Sequence, residues 1–212
     1  MEKDDHYYVD GYSAELDPYA QENGVLKNTF GIRDSVYLNE VEADIAGVQI
    51  QEILKQPAPK SFTASHLCAL HEQVFSEVYP WAGQYRQVDI AKGDTHFLKH
   101  QDIPVKLDAL FSDLANADFL QDATPQEFSE FIGDFLVRLN FVHPFREGNG
   151  RVQRLLVTQI ATNAGLVLDW QPVGNEAMKQ ACIAGIQGVT RQMVRMILFN
   201  IGIVGGSRKL PK

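Results

Sequence analysis

The run HPFREGNGR, from His143 to Arg151, crowds a titratable base, a carboxylate, two glycines, an amide and guanidinium groups into one short stretch. Connectors between helices rarely carry that composition passively. His143 can accept a proton near neutral pH. Glu147 offers a hard oxygen ligand. Gly148 and Gly150 permit positive φ and close backbone approach where the next helix begins, so successive N–H groups can converge on one anion. A helix start adds partial positive charge and unsatisfied donors, which makes a phosphate or carboxylate its natural guest. Arg151 and Arg154 stand three apart and rise from one helix face beside that point. Two arginines there suggest a polyphosphate. Mg²⁺ is typically held by one or two carboxylates together with the phosphates, so a magnesium nucleotide fits the charge pattern. Taken singly, each piece reads as a buried turn or a solvated ion pair; their combination points to chemistry.

Two strong helices must position this run. Before it, TPQE at 124–127 supplies a cap, a proline at the first helical position and a glutamate three after the cap. Phe128, Ile132, Phe135, Leu136 and Leu139 then follow at helical spacing. After it, Val152, Leu155, Leu156, Gln159 and Ile160 face inward, and Gly165 is the stop. Upstream, a helix over 34–56 carries Val41, Ile45, Val48, Ile53 and Leu54 and ends at the PAP run. Thr63 caps another helix, with Leu67, Leu70, Val74 and Phe75 on one face. QVDIAKGDTHF reads as a short hairpin and is the one β candidate. Further helices fit Leu107 to Leu114, 176–187 and 190–203. The expectation is a mainly α domain over 35–204, a bundle around a central helix-loop-helix with one hairpin. An irregular arm (1–34) precedes it and a flexible tail (205–212) follows.

Lys and Arg number 19 against 27 Asp and Glu, a net charge of −8 at a pI near 5.2, so the surface lacks the field that nonspecific nucleic-acid binding needs. Cys68 and Cys182 sit in apolar stretches and read as reduced core residues of a cytosolic protein. The polar, acidic start MEKDDHYYVD is no signal peptide. The longest apolar stretch, 193–204, carries Arg195 and is too short to span a bilayer. His71 with Glu72 suggests a zinc site, but Phe75 stands where a second histidine is required. His96 and His100 read as solvent-exposed, and His66 carries no signal.

HPFREGNGRVQR resembles the defining motif of Fic domains, His-x-Phe-x-[Asp/Glu]-Gly-Asn-Gly-Arg-x-x-Arg, at every specified position. YPWAGQYRQVDIAKGDTHF (79–97) is similar to the family segment that ends in the flap hairpin, and NTFGIRD (28–34) resembles the start of bacterial Fic toxins. The resemblance implies a Fic fold and an enzyme that transfers AMP from ATP to a protein hydroxyl, releasing pyrophosphate. By the same resemblance His143 is the general base and Phe145 anchors the loop. Glu147 holds Mg²⁺, and Gly148, Asn149 and Gly150 form the anion nest. Arg151 binds the β phosphate and Arg154 the γ phosphate. The flap, Val88 to Phe97, pairs with an extended target segment, with Lys92 and Phe97 as its functional side chains. Gln84 and Arg86 are structural support, and the 176–191 region closes over the adenine.

Many Fic proteins are silenced by a helix carrying [Ser/Thr]-x-x-x-Glu-[Gly/Asn]. Here Ser35 is followed four residues on by Asn39, Thr63 by Leu67 and Ser207 by Pro211, so the chain carries no such glutamate. It resembles the class silenced by a separate small antitoxin, whose glutamate would meet Arg154. The expected protein is a toxin in the bacterial cytoplasm acting on DNA gyrase or topoisomerase IV, touching neither nucleic acid nor membrane directly. The rivals are a secreted effector modifying GTPases, although 212 residues leave little room for a delivery domain, transfer of another phosphate-containing group, and a noncatalytic nucleotide-binding module.

Overall fold

The computed structural model describes residues 8–9 and 17–203; the expected tail, 205–212, lies outside them. Of the seven α-helices among these residues, three start where a side chain relieves the unpaired N–H groups of the first turn. In α1 (Ser35–Leu54) Asp34 accepts from the Tyr37 amide at 2.8 Å, and in α2 (Ala64–Phe75) Thr63 accepts from the His66 amide at 3.1 Å. After α3 (Ile103–Asn116) comes α4 (Pro125–Val142), where Thr124 and Glu127 form the reciprocal capping box read from TPQE. α5 (Asn149–Asn163), α6 (Asn175–Ile186) and α7 (Arg191–Asn200) complete the set.

α4 is the central helix, packed against α3, α5, α6 and α7. Phe128, Ile132, Phe135 and Leu139 are buried along it, and Val152, Leu155, Leu156 and Ile160 do the same for α5. Close approach explains two glycines. A Cβ on Gly133 would lie 2.5 Å from Val194 Cγ2 of α7, and one on Gly185 of α6 would lie 2.4 Å from Val137 Cγ2 of α4.

Three expectations need correction. The inward face of α1 is Leu38, Glu42, Ala46 and Ile53, while Val48 is 62% exposed. Of the apolar positions expected to face inward, Ile53 is buried and Ile45 packs on the core, whereas Val48 and Leu54 are exposed and a glutamate holds an inward position that apolar spacing does not show. β structure also exceeds one hairpin. β2 (Ile90–Lys92) and β3 (Thr95–His96) form the flap, with Ala91 opposite His96, and β1 (Tyr8–Val9) adds a third, antiparallel strand on the outer edge of β2. Finally, the last helix stops at Asn200, because β5 (Ile201–Ile203) leaves it to pair with β4 (Leu166–Leu168). Among the described residues no helix is long and apolar enough to cross a membrane.

Candidate active site

The loop from His143 to Gly148 is fixed from several directions. His143 ends α4 in the left-handed region, φ 46°, a conformation costly for a non-glycine residue and retained only where surroundings enforce it. Arg86 does so. Its guanidinium, fully buried, donates to the carbonyls of His143 (2.8 Å), Val88 (2.6 Å), Val142 (3.2 Å) and Leu98. One cation thereby holds the end of α4 and both flanks of the flap. Burial lowers its pKa to about 10, so it stays charged at neutral pH.

Phe145 is buried and stacks at 3.8 Å on His71. His71 Nδ1 accepts from the Gly83 amide at 2.8 Å, which leaves the proton on Nε2 to donate to the Glu147 carbonyl at 3.0 Å. Burial lowers this imidazole to about 4, so it is a neutral strut. Asn149 staples the loop to itself: its Oδ1 accepts from the Phe145 amide (2.9 Å) and its Nδ2 donates to the Phe145 carbonyl (2.8 Å). Its side chain is therefore committed, which leaves its backbone N–H as the group able to meet an anion. Gly148 has φ +80°, and a Cβ there would lie 2.4 Å from the Phe75 ring; around Gly150 no protein atom obstructs a Cβ.

His143 Nδ1–H donates to the Asn140 carbonyl at 3.0 Å, which puts the ring's lone pair on Nε2. Burial, chiefly, lowers this histidine to about 3, so the ring is neutral at physiological pH. It stacks at 3.9 Å on Phe97. His143, Phe97 and Lys92 line one cavity of about 310 Å³, together with Asn175, Lys179 and Cys182 of α6. The flap pair and the base, far apart in sequence, thus meet. Cys182 packs against the core and also lines the cavity wall; burial pushes its thiol up to about 11, leaving it protonated.

Glu147 opens to a second cavity of about 280 Å³, shared with Tyr79 and Arg146. Its carboxylate accepts from the Gly148 amide at 2.8 Å, and burial and the neighbouring Glu42 raise its pKa. The first N–H groups of α5, at Asn149 and Gly150, follow Glu147 and Gly148 in the chain and, opening the helix, have no partner within it. Arg151 contacts Glu42, and Arg146, at the motif's unspecified position, pairs with Asp17 at 2.8 Å in the interior. Among the described residues Arg154 enters no ion pair of the loop; burial and then Arg151 lower its pKa. Glu42, Asp17 and His71 carry no local signal, since each meets its partner only in the folded chain. His100, read as exposed, is partly buried, its Nδ1 2.8 Å from Asp89, and His66 reaches Gln159 at 2.7 Å.

A helical core whose central helix-loop-helix joins a neutral histidine, a carboxylate and an arginine-flanked helix start sets a proton acceptor and a positively charged helix start in one loop. This chain belongs to the Fic/DOC family, whose model matches residues 61–161. It is 34% identical over 191 residues to the protein adenylyltransferase VbhT of Bartonella schoenbuchensis, covering 90% of this chain but 40% of that protein. With the "Probable protein adenylyltransferase Fic" of Salmonella typhimurium it shares 33% over 180 residues, 84% of this chain and 89% of the relative. Among solved structures it superposes on BepC, a VirB-translocated effector of Bartonella tribocorum with bound AMPPNP, at TM-score 0.81 and 26% identity, covering 87% and 96% of the two chains. The N-terminal Fic domain of a Bep effector from Bartonella quintana with bound ADP gives 0.82 at 25% identity, covering 87% and 94%.

Proposed function

We propose that the chain is a protein adenylyltransferase that transfers AMP from ATP to a Ser, Thr or Tyr hydroxyl of another protein and releases pyrophosphate. The observation that carries this reading is His143: a neutral ring with its lone pair on Nε2, at the wall of the cavity shared with the flap side chains Lys92 and Phe97. Nε2 accepts the hydroxyl proton as the oxygen bonds to the α phosphorus. The bond from that phosphorus to the oxygen bridging the β phosphate breaks, and its electron pair leaves with pyrophosphate. The N–H groups at Asn149 and Gly150 face the phosphate oxygens, Arg151 takes the β phosphate and Arg154 the γ.

Glu147 is the residue that would hold Mg²⁺, which when bound neutralises charge on the phosphates. The donor chemistry fits: a partly exposed carboxylate, held by the loop amide and crowded by Glu42, favours a positive neighbour. Lys92 and Phe97 seat the target. With β1 paired to the outer edge of β2, β3 is the flap's own remaining edge among the described residues and the one we assign to an extended segment.

Label transfer tests the reaction. Incubation with lysate and ATP labelled at the α or the γ phosphate should mark protein from the α position only, and His143→Ala should abolish marking while nucleotide binding persists. Label from γ alone, or an active His143→Ala variant, would sink the assignment. For the biological setting we infer, from the motif, a toxin of the bacterial cytoplasm modifying DNA gyrase or topoisomerase IV and restrained by an antitoxin glutamate at Arg154. Purified protein should then be more active alone than with its small neighbour. A second reading, an effector acting on GTPases, is favoured by the translocated effectors among the structural neighbours; parallel labelling of bacterial and animal-cell lysates separates the two.

A further inference from the structure

The carboxylate of Glu42, contributed by α1, lies outside the motif and outside the segment matched by the family model. Its side chain is 5% exposed. One oxygen receives Arg151 Nη2 and the other receives the Tyr79 hydroxyl. Tyr79 is itself buried and stacked on Trp81 at 4.5 Å, so this acceptor cannot drift.

Arg151 has a second carboxylate within reach. The same Nη2 stands 3.8 Å from Glu147 Oε1, one helical turn back in the chain. Opposite charges already 3.8 Å apart in a largely buried setting attract strongly, so without competition Arg151 would close onto Glu147. That closure would neutralise the one carboxylate on the phosphate-facing loop. Glu42 competes from the interior, where an unpaired carboxylate would be costly, while the Phe75 ring supports the guanidinium from below at 4.8 Å.

We propose that Glu42 is a positioning residue that draws Arg151 away from Glu147 and so keeps Glu147 available to the divalent cation that accompanies the nucleotide. The inference rests on the cation role given to Glu147 above. It separates two tasks that adjacent charges would otherwise confuse: Arg151 faces phosphate, Glu147 faces metal, and Glu42 enforces the division through a contact 109 residues away in sequence. The bland alternative is that Glu42 merely anchors α1 to the core, and the two differ in what they do to metal dependence.

The test is calorimetric titration with AMPPNP, with and without Mg²⁺, on the full chain. Glu42→Gln keeps the shape and an acceptor for Tyr79 but removes the charge. It should lose at least about tenfold of the tightening that Mg²⁺ gives the wild type, and should add little to that loss in a Glu147→Gln background, since coupled residues are non-additive. Should Glu42→Gln not fold, Tyr79→Phe decides: it frees one Glu42 oxygen and should show a smaller loss in the same direction. Full wild-type tightening in the folded variant, or a loss that adds undiminished to that of Glu147→Gln, overturns the proposal and leaves the adenylyltransferase reading standing. A wild type whose nucleotide binding ignores Mg²⁺ would instead remove the cation role of Glu147 and this inference with it.

Discussion

At the scale of single residues, the two loop glycines make opposite predictions. Gly148→Ala must place a Cβ at 2.4 Å from the Phe75 ring at a positive φ, so it should destabilise the protein by about 2 to 4 kcal/mol and abolish transfer. Gly150→Ala meets open space within a helix. It should leave the melting temperature unchanged or raise stability by about 0.5 to 1 kcal/mol, yet weaken nucleotide binding if phosphate approaches that backbone. Thermal melts paired with AMPPNP titrations decide. The motif was legible because its parts are local: base, carboxylate, glycines and arginines fall within one loop and the turn after it. Glu42, Asp17 and His71 were illegible for the converse reason. Their partners lie 109, 129 and 76 positions away, and a Glu on an amphipathic helix ordinarily faces water.

Among elements, the flap and the end of α4 hang together on Arg86. Arg86→Met should cost about 3 kcal/mol or more, because buried carbonyls of the loop and flap would lose their donor. The melting temperature should fall by roughly 6 to 12 °C, and transfer should be lost even where the variant folds; an active, wild-type-stable variant would refute the role. Helix starts were readable from sequence, since caps at Asp34, Thr63 and Thr124 are decided within four residues. The strands outside the flap were not. β1, β4 and β5 are two or three residues long, too short to show alternation, and exist only through pairing with distant segments. Gln84, expected beside Arg86 as support, shows its part in a turn, its amide donating to Trp81 at 3.1 Å.

For the whole molecule, the two buried imidazoles set a pH dependence. His71 and His143 titrate near 4 and 3 in the folded protein against an ordinary 6.5. Between those values the unfolded chain binds protons that the folded one does not. Stability is therefore intact above pH 6.5 and falls as pH drops toward 4, by up to about 1.4 kcal/mol per pH unit for each histidine. Urea melts across that window should show the slope, and His143→Asn should make it shallower by about one histidine's share; a flat profile would refute the burial of both rings. The net charge of −8 describes the outer surface, whereas Arg86, Arg146, Arg151 and Arg154 concentrate positive charge around one loop. That loop is closed by Asp17 from the arm and Glu42 from the first helix. Joining such remote segments is entropically slow and late in folding. Catalytic competence should thus be a late event of maturation: a half-collapsed chain has its helices before it has its chemistry.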